Sequence, residues 1–214
     1  MNSARGRRRT LAFVALIWPA MLLQTASAAP YTIDPRDTSA NFDVRFLGLF
    51  PLHGRFLRTS GMLFYDRETR QGSIDVVIDT TTLVSNNAKA QSLARGPEFF
   101  DVEKYPSIAF KSSRFVFDER HLRFIEGSLT LVGHTRPVVL TVTNSRCDAA
   151  TEHELASCHA TAELVVKRSA FGMKAWSRTV SEEVVIRITI AARQATERAP
   201  HPVLPGAEPP GSPE

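Results

Sequence analysis

The segment His153-Glu154-Leu155-Ala156-Ser157 begins as a zinc-protease helix begins, with a histidine ligand followed by a glutamate base. That chemistry needs a second histidine four residues after the first, one helical turn on, so that both ligate from one face. Ser157 occupies that place, and the segment reads as a solvated loop with no metal. His53, His121, His134 and His159 show no ligand spacing. Ser128 and Ser169 lack the Gly-x-Ser-x-Gly elbow that exposes a nucleophile on a sharp turn. Glu182 and Glu183 are adjacent, so on a strand they point to opposite faces and cannot flank one bond as acid and base. No glycine-rich phosphate loop is present in the sequence. No catalytic residue is assigned, and the protein is not expected to be an enzyme.

Two other residue sets carry chemistry of a different kind. Cys147 and Cys158 flank a polar insert, Asp148 to Ser157. In an oxidising compartment they are expected to form a disulfide across a hairpin tip, worth about 3 kcal/mol in the chain-entropy account. They do not form a Cys-x-x-Cys pair, which removes the motif of redox catalysis. Arg168, beside Ser169 and Phe171, offers a guanidinium to a ligand carbonyl, a pyrophosphate or a backbone carbonyl. A salt bridge to an acid such as Glu183 is the commoner outcome for such a residue. Trp176 and Met173, just beyond it, either cover a cavity mouth or belong to the core.

The stretch from Gly96 to Pro106 places Phe99 and Phe100 between Pro97 and Pro106, where a plain surface turn would be polar. Two aromatic rings there either plug the mouth of a hollow β-structure or anchor the loop beneath a sheet.

The elements that would position these groups are strands. Ala40, Phe42, Val44 and Phe46 alternate with Asn41, Asp43 and Arg45. The same period of two runs through Ile74 to Ile78, Ile108 to Phe110, Phe115 to Phe117, Val138 to Val142, Ala160 to Val166 and Val184 to Ile190. This is the pattern of half-buried antiparallel sheet. Turns are expected at Asp66 to Gly72, Asp118 to Arg120 and Gly133 to Arg136, and bulges or bends at Gly61 and Gly127. One helix is expected, from Asn86 to about Arg95, capped by Ser85 and stopped by Gly96-Pro97. Many short strands with one apolar face close as a barrel or stack as a sandwich, and periodicity does not separate the two. The inward set mixes rings (Phe42, Phe46, Phe110, Phe115, Phe117) with small groups (Ala40, Ala160, Ala162), which means either tight packing or an open channel.

The chain of 214 residues opens with Arg5, Arg7, Arg8 and Arg9, an apolar core from Leu11 to Leu23 broken by Pro19, and Ala26-Ser27-Ala28. This is the layout of a cleaved export signal, residues 1–28, with general secretion favoured over twin-arginine export. The apolar run is too short and interrupted to favour a membrane span. The net charge of +4 comes from that segment alone, leaving 22 basic against 22 acidic residues beyond it. No basic face for nucleic acid is indicated. Residues 29–194 suit one domain with a real core. Residues 195–214 carry Pro200, Pro202, Pro205, Pro209, Pro210 and Pro213, a composition too poor in apolar residues to order itself.

Four segments together resemble the YceI-like family of secreted, lipocalin-like proteins. They are Tyr31 to Asp34 with Asn41 to Val44 and Gly54 to Phe56; the aromatic stretch; Gly127 to Gly133 running through Thr135-Arg136-Pro137 to Leu140; and Arg168 to Met173 followed by Glu183 to Ile188. The resemblance implies an all-β, antiparallel lipocalin-like β-barrel with one short helix and the aromatic loop near its mouth. It also implies a polyisoprenoid or isoprenoid quinone as ligand, with no other cofactor, a periplasmic or secreted location, and no catalysis. On it, Phe42, Phe46, Phe99, Phe100, Phe110 and Phe171 are expected to line the cavity, Leu93 to seal one end, and Arg168 and Trp176 to stand at the mouth. The chain departs from the family where Lys89 to Leu93 replaces an Arg-Asp-x-His-Leu run, where Lys167 replaces an asparagine, and in the cysteine-flanked insert. Two other readings use the same barrel: a partner of a membrane electron-transfer system, and a lipid-modifying enzyme. Oligomeric state, including a homodimer, stays open.

Overall fold

In the computed structural model, which describes residues 29–195, every alternating segment becomes a strand. The expected signal segment, and all of the expected tail except Ala195, lie outside the described residues. The strands are β1 (Ala29–Ile33), β2 (Ser39–Phe46), β3 (Phe50–Phe56), β4 (Thr59–Asp66), β5 (Gln71–Asp79), β6 (Leu83–Ser85), β7 (Ser107–Asp118), β8 (His121–Leu131), β9 (His134–Asp148), β10 (Ser157–Lys167) and β11 (Glu183–Gln194). Helix α1 spans Ala88–Arg95.

All pairings between these strands are antiparallel, in the order β1-β4-β5-β7-β8-β9-β10-β11-β2-β3-β6. Closure comes from β1 on β11, where Tyr31 pairs with Gln194 and Ile33 with Ala192. The first half of β11 pairs instead with β2, Val185 facing Asp43 and Thr189 facing Ser39. β1 and β2 are therefore two halves of one bent stave. β3 and β4 make a second, β5 and β6 a third, and five single strands complete an eight-stave barrel. Barrel, not sandwich, is the outcome, and it leaves no long unpaired edge.

The bends are held by side chains that replace ladder hydrogen bonds. Thr38 Oγ1 accepts from Ala191 N at 3.2 Å at the first bend. Thr82 Oγ1 accepts from Leu57 N at 3.0 Å and Arg58 N at 3.2 Å and donates to Asp79 O at 2.6 Å, so one hydroxyl ties the second bend to the third. Threonine hydroxyls at such corners satisfy backbone groups that a straight strand would pair.

Four local expectations change. Asn87, not Ser85, caps α1 by accepting from Ala90 N at 3.0 Å, while the Ser85 hydroxyl donates to His53 O at 2.8 Å. The β8–β9 turn falls on Val132-Gly133, both at positive φ, two residues earlier than expected, because Thr135 and Arg136 already pair with β8. Gly61 pairs in register with Val76 and is no bulge; a Cβ there would meet Asp75 O at 2.1 Å. Gly127 stands opposite a bulge rather than on one, since Ser112 pairs with Gly127 and Arg114 with Glu126, leaving Ser113 over. Cys147 and Cys158 face each other across β9 and β10 and are disulfide-bonded, as expected.

The two barrel ends differ. At one end lie the β4–β5, β7–β8 and β9–β10 turns; Arg67 reaches Cys147 O and Arg70 reaches Glu119 O across them. At the other lie the β2–β3 and β8–β9 turns, the connection from β10 to β11, and α1 with the aromatic loop that crosses from β6 to β7.

Candidate functional site

The inward faces do not fill the barrel. A channel runs along it, walled by residues such as Phe42, Phe56, Ile74, Phe110, Leu129 and Leu164. About 200 Å³ of it is open to the centre of a water-sized sphere. One water needs roughly 10–15 Å³ on that measure, so the space suits a chain molecule rather than a trapped solvent or two. Its wall is almost wholly apolar, and an apolar void of this size does not hold water well.

Alternation explains the wall. Ala40 and Phe42 on β2, Ile74, Val76 and Ile78 on β5, and Ile108 and Phe110 on β7 all face inward as their period of two requires. Gly54, across from Phe42, admits the Phe42 ring over its backbone: a Cβ there would lie 2.1 Å from the ring.

The aromatic loop closes one end. Its backbone folds back on the carboxyl end of α1: Phe100 N donates to Ala94 O at 3.0 Å, Val102 N to Arg95 O at 3.1 Å, and Asp101 N to Gly96 O at 2.9 Å. These bonds satisfy helix carbonyls that would otherwise lack partners. Arg95 Nη1 donates to Thr81 O at 2.7 Å and fixes the helix to the third bend. Phe100 is thereby driven between Phe42 and Phe56, with ring centroids 5.3 and 5.4 Å away and the Phe56 contact edge-to-face. Such ring pairs add roughly 0.5–1.5 kcal/mol each beyond burial. Phe99 and Leu93 also face the channel from this lid, and both phenylalanines remain half-buried.

Arg168 is 2% exposed, and four carbonyls take its protons. Nε donates to Ser181 O at 3.0 Å, Nη1 to Met173 O and Ala175 O at 2.6 Å each, and Nη2 to Val180 O at 3.2 Å. No acid lies within ion-pair distance among the described residues, so the expected bridge to Glu183 is replaced by a clasp on the β10–β11 connection. The reason is geometric. Residues 168–171 form a 3-10 turn that ends the alternation of β10 and carries the guanidinium under the loop, while Glu183 starts β11 and faces solvent. The Arg168 guanidinium carbon sits 5.9 Å from the Phe99 ring centroid, which places its flat edge of charge against the lid. Glu182 instead accepts from Ser169 N at 3.3 Å and from the Ser169 hydroxyl. The hydroxyl bond outweighs the opposing effect of burial, and the amide bond and the positive charges of Arg168 and Lys167 add to it, so the Glu182 carboxyl is held below the usual glutamate range.

Of the nine residues expected at the site, six meet around the channel: Phe42, Leu93, Phe99, Phe100, Phe110 and Arg168. Three stand off it. Phe46 has run past the rim at the end of β2, where it pairs with Phe50 and bridges to Val180. Phe171 is buried within the 3-10 turn, outside the channel wall. Trp176 lies on the rim, its Nε1 donating to Glu98 Oε2 at 2.7 Å. Met173, by contrast, is buried and faces the channel. Phe117 is also off the wall, because a bulge at Arg123 pairs it with Leu122, and Leu122 takes the inward place. Phe56, Leu63, Ile125 and Leu131 line the wall and were missed; alternation on β3, β4 and β8 was the signal that marks them.

Outside the barrel, Asp43 accepts from His53 Nδ1 at 2.5 Å and from Arg187, whose Nε donates to Glu163 Oε1 at 2.8 Å. A histidine–aspartate pair is an acid–base unit when a nucleophile adjoins it, but the nearby Ser85 hydroxyl is committed to the His53 carbonyl. His153 and Glu154 lie in an exposed loop, not a helix, and no cluster of three potential metal ligands occurs among the described residues.

A profile described as the YceI-like domain matches residues 31–192. A UPF0312 protein of Vibrio cholerae is 35% identical over 136 residues, 62% of this chain and 72% of that protein. Among solved structures, BcnA of Burkholderia cenocepacia superposes with a TM-score of 0.62 at 22% identity, covering 74% of this chain and 98% of that one. A polyisoprenoid binding domain from Saccharophagus degradans, implicated in plant cell wall breakdown, gives 0.58 at 14% identity, covering 78% and 99%. At these identities the two structures establish a shared fold.

Proposed function

The chain belongs to the YceI-like domain family, and on that premise we propose that it holds an apolar chain molecule, of the polyisoprenoid or isoprenoid-quinone class, inside its barrel. The observation that carries this is the apolar channel beneath an aromatic lid. A guest of that class gains about 0.8 kcal/mol for each methylene-sized group removed from water, so a five-carbon unit contributes about 4 kcal/mol before the entropy of ordering it. Such a ligand asks for depth and dry walls more than for hydrogen bonds, which fits a wall whose buried cation already gives four of its five N–H groups to backbone carbonyls.

The protein acts in this reading as a holder or carrier, not a catalyst. Export to the periplasm or beyond, directed by residues 1–28, is part of the same proposal, and the Cys147–Cys158 disulfide supports it because such bonds persist in oxidising compartments. N-terminal sequencing of the exported protein should begin at Ala29.

The deciding experiment is mass spectrometry of an organic extract of protein recovered from its native host. An isoprenoid near one per chain is expected. A clean extract, together with no uptake of added isoprenoid quinone, refutes the proposal.

A further inference from the structure

The β2–β3 hairpin ends in an apolar finger. It turns through Leu47 and Gly48, with φ of 52° and 71°. Left-handed backbone suits glycine or asparagine, and a bulky L side chain rarely adopts it. Leucine stands there nonetheless, 52% exposed, followed by Leu49 at 76% and Phe50 at 58%. None of the three lines the channel or joins the core. A soluble tip would carry polar turn residues, so this one has no reason of its own within the fold.

The finger is tied to the channel's lid end. Leu47 N donates to Thr179 O at 2.6 Å, and Thr179 N donates to Trp176 O at 2.9 Å. Trp176 is 46% exposed, also at positive φ, and its indole N–H reaches Glu98 of the aromatic loop. Finger, β10–β11 connection and lid thus form one continuous rim. Arg45, Lys174 and Arg178 are exposed along it and make no ion pair among the described residues. The same rim also carries Lys104, Arg136 and Lys167, exposed and without an ion pair among the described residues, against five carboxylates, Glu98, Asp101, Glu103, Glu182 and Glu183, of which Glu98 and Glu182 are bonded to the neutral donors Trp176 and Ser169 and keep their charge. Exposed leucine and phenylalanine, an amphipathic indole and unpaired cations are the composition that enters the boundary of an anionic bilayer.

We infer that this rim docks the protein on an anionic phospholipid surface, finger inserted, so that the lid faces the membrane from which the guest comes or to which it goes. The inference deepens the proposed function and rests on it for the purpose of docking, though not for docking itself.

The test is flotation of the protein, as recovered from expressing cells, with vesicles of phosphatidylcholine alone and of phosphatidylcholine mixed with phosphatidylglycerol. Wild type should float with the mixed vesicles. Leu49→Ser/Phe50→Ser should lose about tenfold or more in partitioning, because reversible interfacial binding scales with inserted apolar area. Arg45→Gln/Arg178→Gln should lose severalfold on mixed vesicles and change little on neutral ones, the effect fading with salt. Both variants should still take up isoprenoid quinone in vesicle-free solution, which shows that they fold. Wild type failing to float, floating equally with both vesicle types, or floating undiminished in the finger variant overturns the inference. So does a homodimer that the finger variant abolishes without any vesicle binding, which would assign the finger to a second copy. Vesicle binding in a protein that takes up no quinone supports the docking surface and refutes the cavity reading.

Discussion

Replacing Ala162 by phenylalanine tests whether the channel is a true void and the place where a guest sits. Ala162 is buried, lines the channel from the middle of β10 and is flanked by Val142 and Ile188 on the neighbouring strands. A phenyl ring there enters space that is empty without ligand. A buried phenylalanine covers roughly 150–250 Å², worth about 4–6 kcal/mol at about 25 cal/mol per Å². Strain in a packed wall takes back about 1–3 kcal/mol. The empty barrel should therefore gain at least about 1 kcal/mol, seen as a rise of about 2–4 °C in Tm for a domain of this size. The same ring displaces about one five-carbon unit of guest, near 4 kcal/mol, or roughly a thousandfold in affinity. The two effects have opposite signs, which is what makes the variant informative. Urea and thermal unfolding of delipidated protein give the first, and isoprenoid quinone titration gives the second. Destabilisation by about 2 kcal/mol or more, as overpacking of a filled core produces, would show that there is no void at Ala162. A stabilised variant that still loads would place the guest elsewhere.

Other perturbations address the parts that hold the site. Arg168→Ala takes the partner from four carbonyls, two buried (Met173, Val180) and two half-buried (Ala175, Ser181), and should cost more than about 3 kcal/mol in urea unfolding, with the 172–181 segment becoming the first site of limited proteolysis. Arg168→Lys should recover only part of this, since an ammonium has three donors and no planar fork. Reduction of Cys147–Cys158 releases a short closed loop, a sequence separation of 11, and should lower stability by about 2–3 kcal/mol, read as a lower urea midpoint. Glu182 has a depressed folded-state pKa, so its contribution is present above the ordinary glutamate range and is lost as pH falls through the folded value. The stability difference between wild type and Glu182→Gln should thus be small and favour wild type near about pH 7, then vanish once the pH lies below the folded-state value; a difference that grows in acid would refute the assignment.

The primary structure was sufficient for which residues share a strand face and where the helix ends, though not for the cap of α1, which is Asn87, or for the β8–β9 turn, which falls on Val132-Gly133. Period-two alternation marked which residues of β2, β5 and β7 share a face, because the pleat fixes that locally. The cysteines bracketing a polar insert marked the β9–β10 tip, and Gly96-Pro97 marked the end of α1. Local reading failed where alternation stops: at Phe46 beyond the rim, at Phe171 inside a 3-10 turn, and at Phe117 past a bulge. Tertiary structure alone decided closure, since β1 meets β11 from the far end of the domain, and it alone decided that the barrel is hollow. Whether small and large inward residues fill a barrel depends on its radius, which is set by the number and bending of staves rather than by any one segment. It also decided the fate of Arg168, whose partners are backbone carbonyls, groups that every residue carries and no sequence distinguishes.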